Sequence, residues 1–165
     1  MVHCHAQQFQ GRRLSAERLH SVVGFRLWLR RGNKPPHLQW SRGPVGTKSY
    51  AVTCFDPDAP TGSGFWHWVV VNIPAYVTEL AEGAGSKGGK LPEGALQTRT
   101  DFGAPGYGGP CPPQGDHPHR YLFTVFAVKV DKLDVTADTS AAVIGFNLHF
   151  NTWARAEIMG LYRRG

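Results

Sequence analysis

Asp56-Pro57-Asp58-Ala59-Pro60-Thr61-Gly62-Ser63-Gly64-Phe65-Trp66-His67-Trp68 joins two apolar runs, residues 50–55 before it and 68–73 after it. Each run carries apolar groups on both faces of an extended chain, so each reads as a strand in the middle of a sheet. Between them, two prolines stiffen a turn that holds two carboxylates. A histidine opens the second strand. Strand, rigid turn, strand is how a chain fixes a few polar groups on the rim of a sheet.

A second stretch answers the first: Pro105-Gly106-Tyr107-Gly108-Gly109-Pro110-Cys111-Pro112-Pro113, then His117-Pro118-His119-Arg120-Tyr121. It leads into the clearest strand, 120–130, where Tyr121, Phe123 and Val125 alternate with Leu122, Phe126 and Val128. Asp56 closes one strand, and His67 and His119 each open another. Laid side by side, these strands bring the three residues to one sheet end. A carboxylate bonded to an imidazole fixes its tautomer and favours its charged form. Glycines at 106, 108 and 109 let backbone N–H groups approach an anion, and the prolines lower the entropy lost in preforming a cavity. The expectation is one small anion pocket built from both stretches.

Composition sets the frame. A chain of 165 residues, 41% hydrophobic, suits a single core, and its 20 Gly and 12 Pro favour β structure. The formal charge of +6 is unevenly placed: residues 1–50 carry a balance of +8 and residues 51–165 one of −2. The segment with the motifs is therefore not basic, and nucleic acid is not the expected partner. No apolar run reaches the roughly 20 residues of a membrane span, and no signal-peptide layout opens the chain, which gives a cytoplasmic expectation without stable membrane insertion. Three scattered cysteines, Cys4, Cys54 and Cys111, do not make a disulfide framework. Cys54 reads as core; Cys111 reads as a turn residue with a reactive thiol as the alternative.

Elsewhere, residues 15–29 read as a helix and 34–40 as a short edge strand after two prolines. Residues 75–100 read as a flexible connection. The GxGxxG within it, Gly83 to Gly88, is followed by no helix and so is not a nucleotide site. Residues 96–102 suggest a further strand. A helix over 140–150, capped by Asp138, Thr139 or Ser140, shows Val143, Phe146 and Phe150 at helical spacing. A second helix is expected over 153–162. Residues 1–31 read as an atypical basic N-terminal segment, disordered or arising from a misplaced start, and 32–165 as the domain.

The pattern Asp56-Pro57-Asp58-Ala59-Pro60…His67-Trp68 with Pro105-Gly106-Tyr107…Pro112-Pro113…His119-Arg120-Tyr121 resembles the phosphatidylethanolamine-binding protein family, in particular its bacterial Raf-kinase-inhibitor-like branch. The resemblance spans about 32–165. It implies a mostly β fold: a large antiparallel Greek-key sheet, a smaller sheet and C-terminal helices. It also implies a ligand site lined by Asp56, Pro60, His67, Pro112 and His119, with Gly109 and Tyr121 as further members, phosphate-type ligands, and a homodimer.

The function expected is non-enzymatic binding of an anionic small molecule, phospholipid head group or phosphorylated protein partner, with a regulatory, kinase-inhibitor-like role. The alternative is a small hydrolase using Asp56, His67 and His119 as acid and base with Ser63 or Cys111 as nucleophile. A metal held by His67, His117, His119 and Asp56 is a third reading, but His-Pro-His spacing is common. No catalytic residue, metal or cofactor is assigned.

Overall fold

The computed structural model describes the backbone of residues 25–28 and, in full, residues 34–164. Along the chain the elements are β1 (Phe25–Trp28), β2 (His37–Trp40), β3 (Ser49–Asp56), β4 (Phe65–Pro74), β5 (Glu79–Leu80), β6 (Leu96–Gln97), β7 (His119–Val128), α1 (Ala141–Asn151) and β8 (Thr152–Tyr162). The two runs flanking the Asp-Pro-Asp turn are β3 and β4, and they pair directly as a hairpin.

The larger sheet is antiparallel, in the order β6-β4-β3-β7-β8, and β3 sits in its centre as its two-faced apolar pattern requires. β7 returns past β4 and β6 to pair with β3, which is a Greek-key arrangement. The smaller sheet has the order β1-β2-β5, so β2 is its middle strand rather than an edge. The prolines at 35 and 36 precede β2 and remove no ladder donor from it.

Burial divides the large sheet into two faces. On one, Tyr50, Val52, Cys54, Trp68, Tyr121 and Phe123 pack with Leu38, Trp40 and Leu80 of the smaller sheet. On the other, Ala51, Val69, Val71 and Val128 pack with Ala141, Ile144 and Leu148 of α1. The smaller sheet, the large sheet and the helix thus form three layers.

Beyond the place of β2, four expectations change. The helix expected over 15–29 gives way at Phe25–Trp28 to β1, which pairs antiparallel with β2; residues 15–24 and 29 lie outside the described residues. The second C-terminal helix is instead β8, paired with β7 from His119↔Tyr162 to Val128↔Thr152. Its inner face is Ala154, Ala156, Ile158, Gly160 and Tyr162, a period-two pattern that a whole strand of partner hydrogen bonds stabilises over helix propensity. α1 forms where expected, with Ser140 Oγ accepting from Val143 N. However, it buries Ile144 and Leu148 and turns Val143, Phe146 and Phe150 outward. Finally, the strand expected over 96–102 shortens to β6, followed by a bridge between Arg99 and Pro105.

The glycine-rich loop is packed at Ala84 and Gly85 and exposed over 87–90. A Cβ on Gly85 would lie 2.3 Å from Trp68 Nε1, and Ala84 is buried. Gly85 serves close packing on Trp68, whose indole N–H donates to Gln97 Oε1 at 2.7 Å.

Candidate functional site

Antiparallel β3 and β7 bring the end of one beside the start of the other, and there Asp56 meets His119. His119 Nδ1 lies 2.8 Å from Asp56 Oδ2, with both side chains buried. The second carboxylate oxygen of Asp56 accepts from Asp58 N at 2.8 Å, an Asx turn that orients the carboxylate. On its outer side, His119 Nε2 lies 2.9 Å from Asp116 Oδ2. Carboxylate oxygens on both ring nitrogens favour donation from both, which is the imidazolium form. Burial works against that charge, but Asp116 and Asp56 outweigh it and raise His119 above the ordinary imidazole value.

His67 reaches the site through a β-bulge. Cys54 pairs with Trp68 and Phe55 with Trp66, so His67 is the extra residue on β4. Without the bulge, alternation would place His67 on the face opposite Trp68. Instead its ring meets Tyr121 edge-on, with centroids 5.2 Å apart, and leans on Phe65 and Phe102. His67 Nδ1–H donates to Gly108 O at 2.9 Å, and Gly108 N–H returns a bond to His67 O at 2.9 Å. This two-way clamp is where the second stretch docks on the first. It also engages one of the glycine N–H groups expected to face an anion. Burial lowers the His67 pKa, against the hydrogen bond to Gly108 and the charge of Asp56. The neutral ring therefore keeps its proton on Nδ1 and leaves Nε2 as a lone pair.

Asp58 and Arg120 close the rim. Arg120 donates from Nε and Nη2 to Asp58 Oδ2 and Oδ1 at 2.9 and 2.8 Å, and its backbone N–H donates to Oδ2 at 2.8 Å. Such a planar fork holds the first turn against β7. It draws the Asp58 carboxyl down to about 2. Asp116, bonded to His119 and to His117, is likewise drawn down to about 2.

The expected site residues are thus placed as follows. Asp56, His67, His119 and Tyr121 come together, and burial, then the charge of Asp56, keeps the Tyr121 hydroxyl neutral by raising its pKa. Gly109 and Pro112 are buried beside them in the second stretch, whereas Pro60 is exposed in the turn. Of the two nucleophiles considered, Ser63 is exposed at the turn tip and Cys111 is disulfide-bonded. The metal set His67, His117, His119 and Asp56 does not assemble, because the ligand atoms that converge belong to Asp116, His117 and His119. Asp116 and the Asp58–Arg120 pair went unpredicted. Arg120 directly after His119, and Asp58 two residues after Asp56, is the spacing that would have revealed the pair.

Comparison with known proteins identifies the family. The family model described as phosphatidylethanolamine-binding protein matches residues 14–163. The Escherichia coli K12 protein YbcL is 57% identical over 132 residues, covering 79% of this chain and 72% of YbcL. YbhB from the same organism is 54% identical over 130 residues, covering 79% of this chain and 82% of YbhB. The crystal structure of E. coli YbcL, described as a new member of the mammalian PEBP family, aligns with a TM-score of 0.79 at 55% identity, covering 82% of this chain and 83% of that one. A paired-motif site on this sheet topology, with a family match across nearly the whole chain, means that the chain belongs to the phosphatidylethanolamine-binding protein family.

Proposed function

We propose that this protein is a non-enzymatic binder of phosphate-type or other anionic groups, carried by a lipid head group or a phosphorylated partner, at the site around His119 and His67. The observation that carries the reading is the state of His119. Its buried ring is anchored from behind by Asp56 at 2.8 Å, and its outer nitrogen already faces an anion, the carboxylate of Asp116, at 2.9 Å. An external oxyanion would take that place. Tyr121 and the aromatic rings around His67 give the ligand an apolar neighbourhood.

A regulatory, kinase-inhibitor-like role follows if the anion belongs to a phosphorylated protein. A homodimer is supported by the outward face of α1, where Val143, Phe146 and Phe150 are exposed next to Trp153.

The test is histidine NMR in metal-free buffer. Inorganic phosphate and phosphoethanolamine at millimolar concentration should each shift the ring signals of His119 and His67. If neither ligand moves either ring, the proposal fails.

A further inference from the structure

Three side chains converge at the mouth of the site in a way that anion binding does not require. Asp116 Oδ1 lies 2.9 Å from His117 Nδ1, and Asp116 Oδ2 lies 2.9 Å from His119 Nε2. One ligand atom from each of the three falls within 4.8 Å of the others. We propose that Asp116, His117 and His119 form a binding site for one divalent transition-metal ion of the zinc class.

The donor set selects the metal. Two imidazole nitrogens and one carboxylate oxygen suit Zn2+ or Co2+, whereas Mg2+ and Ca2+ prefer oxygen donors alone. The spacing suits it as well. Ligands about 2.05 Å from a tetrahedral ion lie about 3.3 Å from one another. Asp116 meets the two rings through different oxygens, so one oxygen serves as the ligand and the separations, all within 4.8 Å, adjust toward about 3.3 Å as the ion enters.

An independent observation lies behind the ligands. His119 holds Asp56 Oδ2 at 2.8 Å through Nδ1, with 1% and 3% of the two side chains exposed. A buried carboxylate on the far nitrogen of a ligand histidine fixes ring orientation, points Nε2 at the metal and raises its basicity. With Asp116 it also supplies two negative charges against the ion's two positive ones. Pro118 stiffens the Asp116-His117-Pro118-His119 segment, so little chain entropy is lost on closing around the ion. With His117 62% exposed and Asp116 32% exposed, the fourth coordination position opens to solvent. A water molecule would fill it, or an anion that meets the metal in place of the His119 N–H.

Metal binding here stands apart from anion binding and is tested separately. Untagged full-length protein, stripped with a chelator, is titrated with Co2+ while tetrahedral visible absorption is followed, and the ion is then displaced with Zn2+. One ion per chain is expected. Asp116→Asn and His117→Ala, both in the exposed loop, should each weaken binding at least about tenfold. His3-Cys4-His5 near the N-terminus is the other cluster of metal-ligand side chains in the sequence, and a His3→Ala/His5→Ala double variant should bind as the parent does. The proposal is overturned if no tetrahedral Co2+ spectrum develops, if both loop variants bind normally, or if the double variant abolishes binding. None of these outcomes alters the response of the histidine rings to phosphate in metal-free buffer, which tests the anion site alone.

Discussion

Asp116 Oδ2 sits 2.9 Å from Nε2 of His119, on the one ring nitrogen that Asp56 leaves facing outward. The protein therefore carries its own anion on the group proposed to receive one. Asp116→Ala should tighten inorganic phosphate binding by about tenfold, the scale of one hydrogen bond to a charged group. Calorimetry in chelator-treated buffer reads this directly. Unchanged affinity would show that Asp116 does not compete.

The tautomer of His67 sets a pH dependence of binding. Its neutral ring donates to Gly108 O, so a second N–H, on Nε2, exists only after protonation. Because the folded pKa is lowered by burial, that proton arrives below the ordinary value of 6.5. Sulfate, whose charge is constant in this range, should bind more tightly as pH falls through that region. His67→Ala should flatten the profile. Stability moves the other way. The unfolded ring protonates near the ordinary value while the folded ring resists, so this contribution is complete above that value and declines as pH drops beneath it. A sulfate affinity independent of pH in the parent would refute the assignment.

How much of the site is legible in the residues alone depends on whether strand ends or long-range pairing place each group. The meeting of the two stretches was legible because it needed only strand ends: Asp56 closing β3 and His119 opening β7. His67 was also placed correctly, but for an incomplete reason. Its position depends on the bulge between Cys54 and Phe55, and no local pattern in Phe65-Trp66-His67-Trp68 announces an extra residue. The segment 153–162 reads as a helix because Trp153, Ile158 and Leu161 with intervening helix-favouring alanines suit one, and only pairing with β7 selects the period-two face of β8. Nothing in the spacing of Asp116-His117-Pro118-His119 marks Asp116 as a partner of a buried ring; only the fold brings it to His119.

Asp58 and Arg120 supply the acid limit of the rim. Arg120 holds the Asp58 carboxyl down to about 2, against about 3.9 in an unfolded chain. A depressed carboxylate stabilises the fold fully above its unfolded value and loses that contribution as pH falls through the folded one. Urea unfolding between pH 5 and about 2 should therefore be steeper in pH for the parent than for Asp58→Asn. Arg120→Ala should remove the same increment, and the double variant should lose no more than either single one. Additive losses would mean that the fork contributes nothing to the fold.

Gly85 is a packing residue, and its replacement should be costly. A Cβ there would come within 2.3 Å of Trp68 Nε1, and Trp68 is fully buried with its indole tied to Gln97. The ring has nowhere to retreat. Gly85→Ala should destabilise the protein by about 1–3 kcal/mol, the cost of overpacking. Gly83→Ala is a poor control because its φ is +83°, so Gly62→Ala, with open space around it, serves instead. Equal melting temperatures for the two variants would show that the loop does not pack on Trp68 as described.

The outward face of α1 makes a prediction about assembly. Phe146 and Phe150 are 68% and 60% exposed, their rings stack edge to face 5.1 Å apart, and Trp153 follows on β8. The inward face fills its core contacts through Ile144 and Leu148, and these rings stand outside that core. Aromatic side chains of this kind bury about 150–250 Å² each, and a stable dimer needs about 800 Å² per partner, so this cluster supplies a large share of such an interface. The protein should sediment as a dimer, and Phe146→Asp/Phe150→Asp should sediment as a monomer with unchanged circular dichroism. The substitution leaves the buried side of α1 and the His119 site untouched, so phosphate should still shift the histidine signals in the monomer. A parent protein that sediments as a monomer, or a double variant that remains dimeric, would remove α1 as the contact between copies.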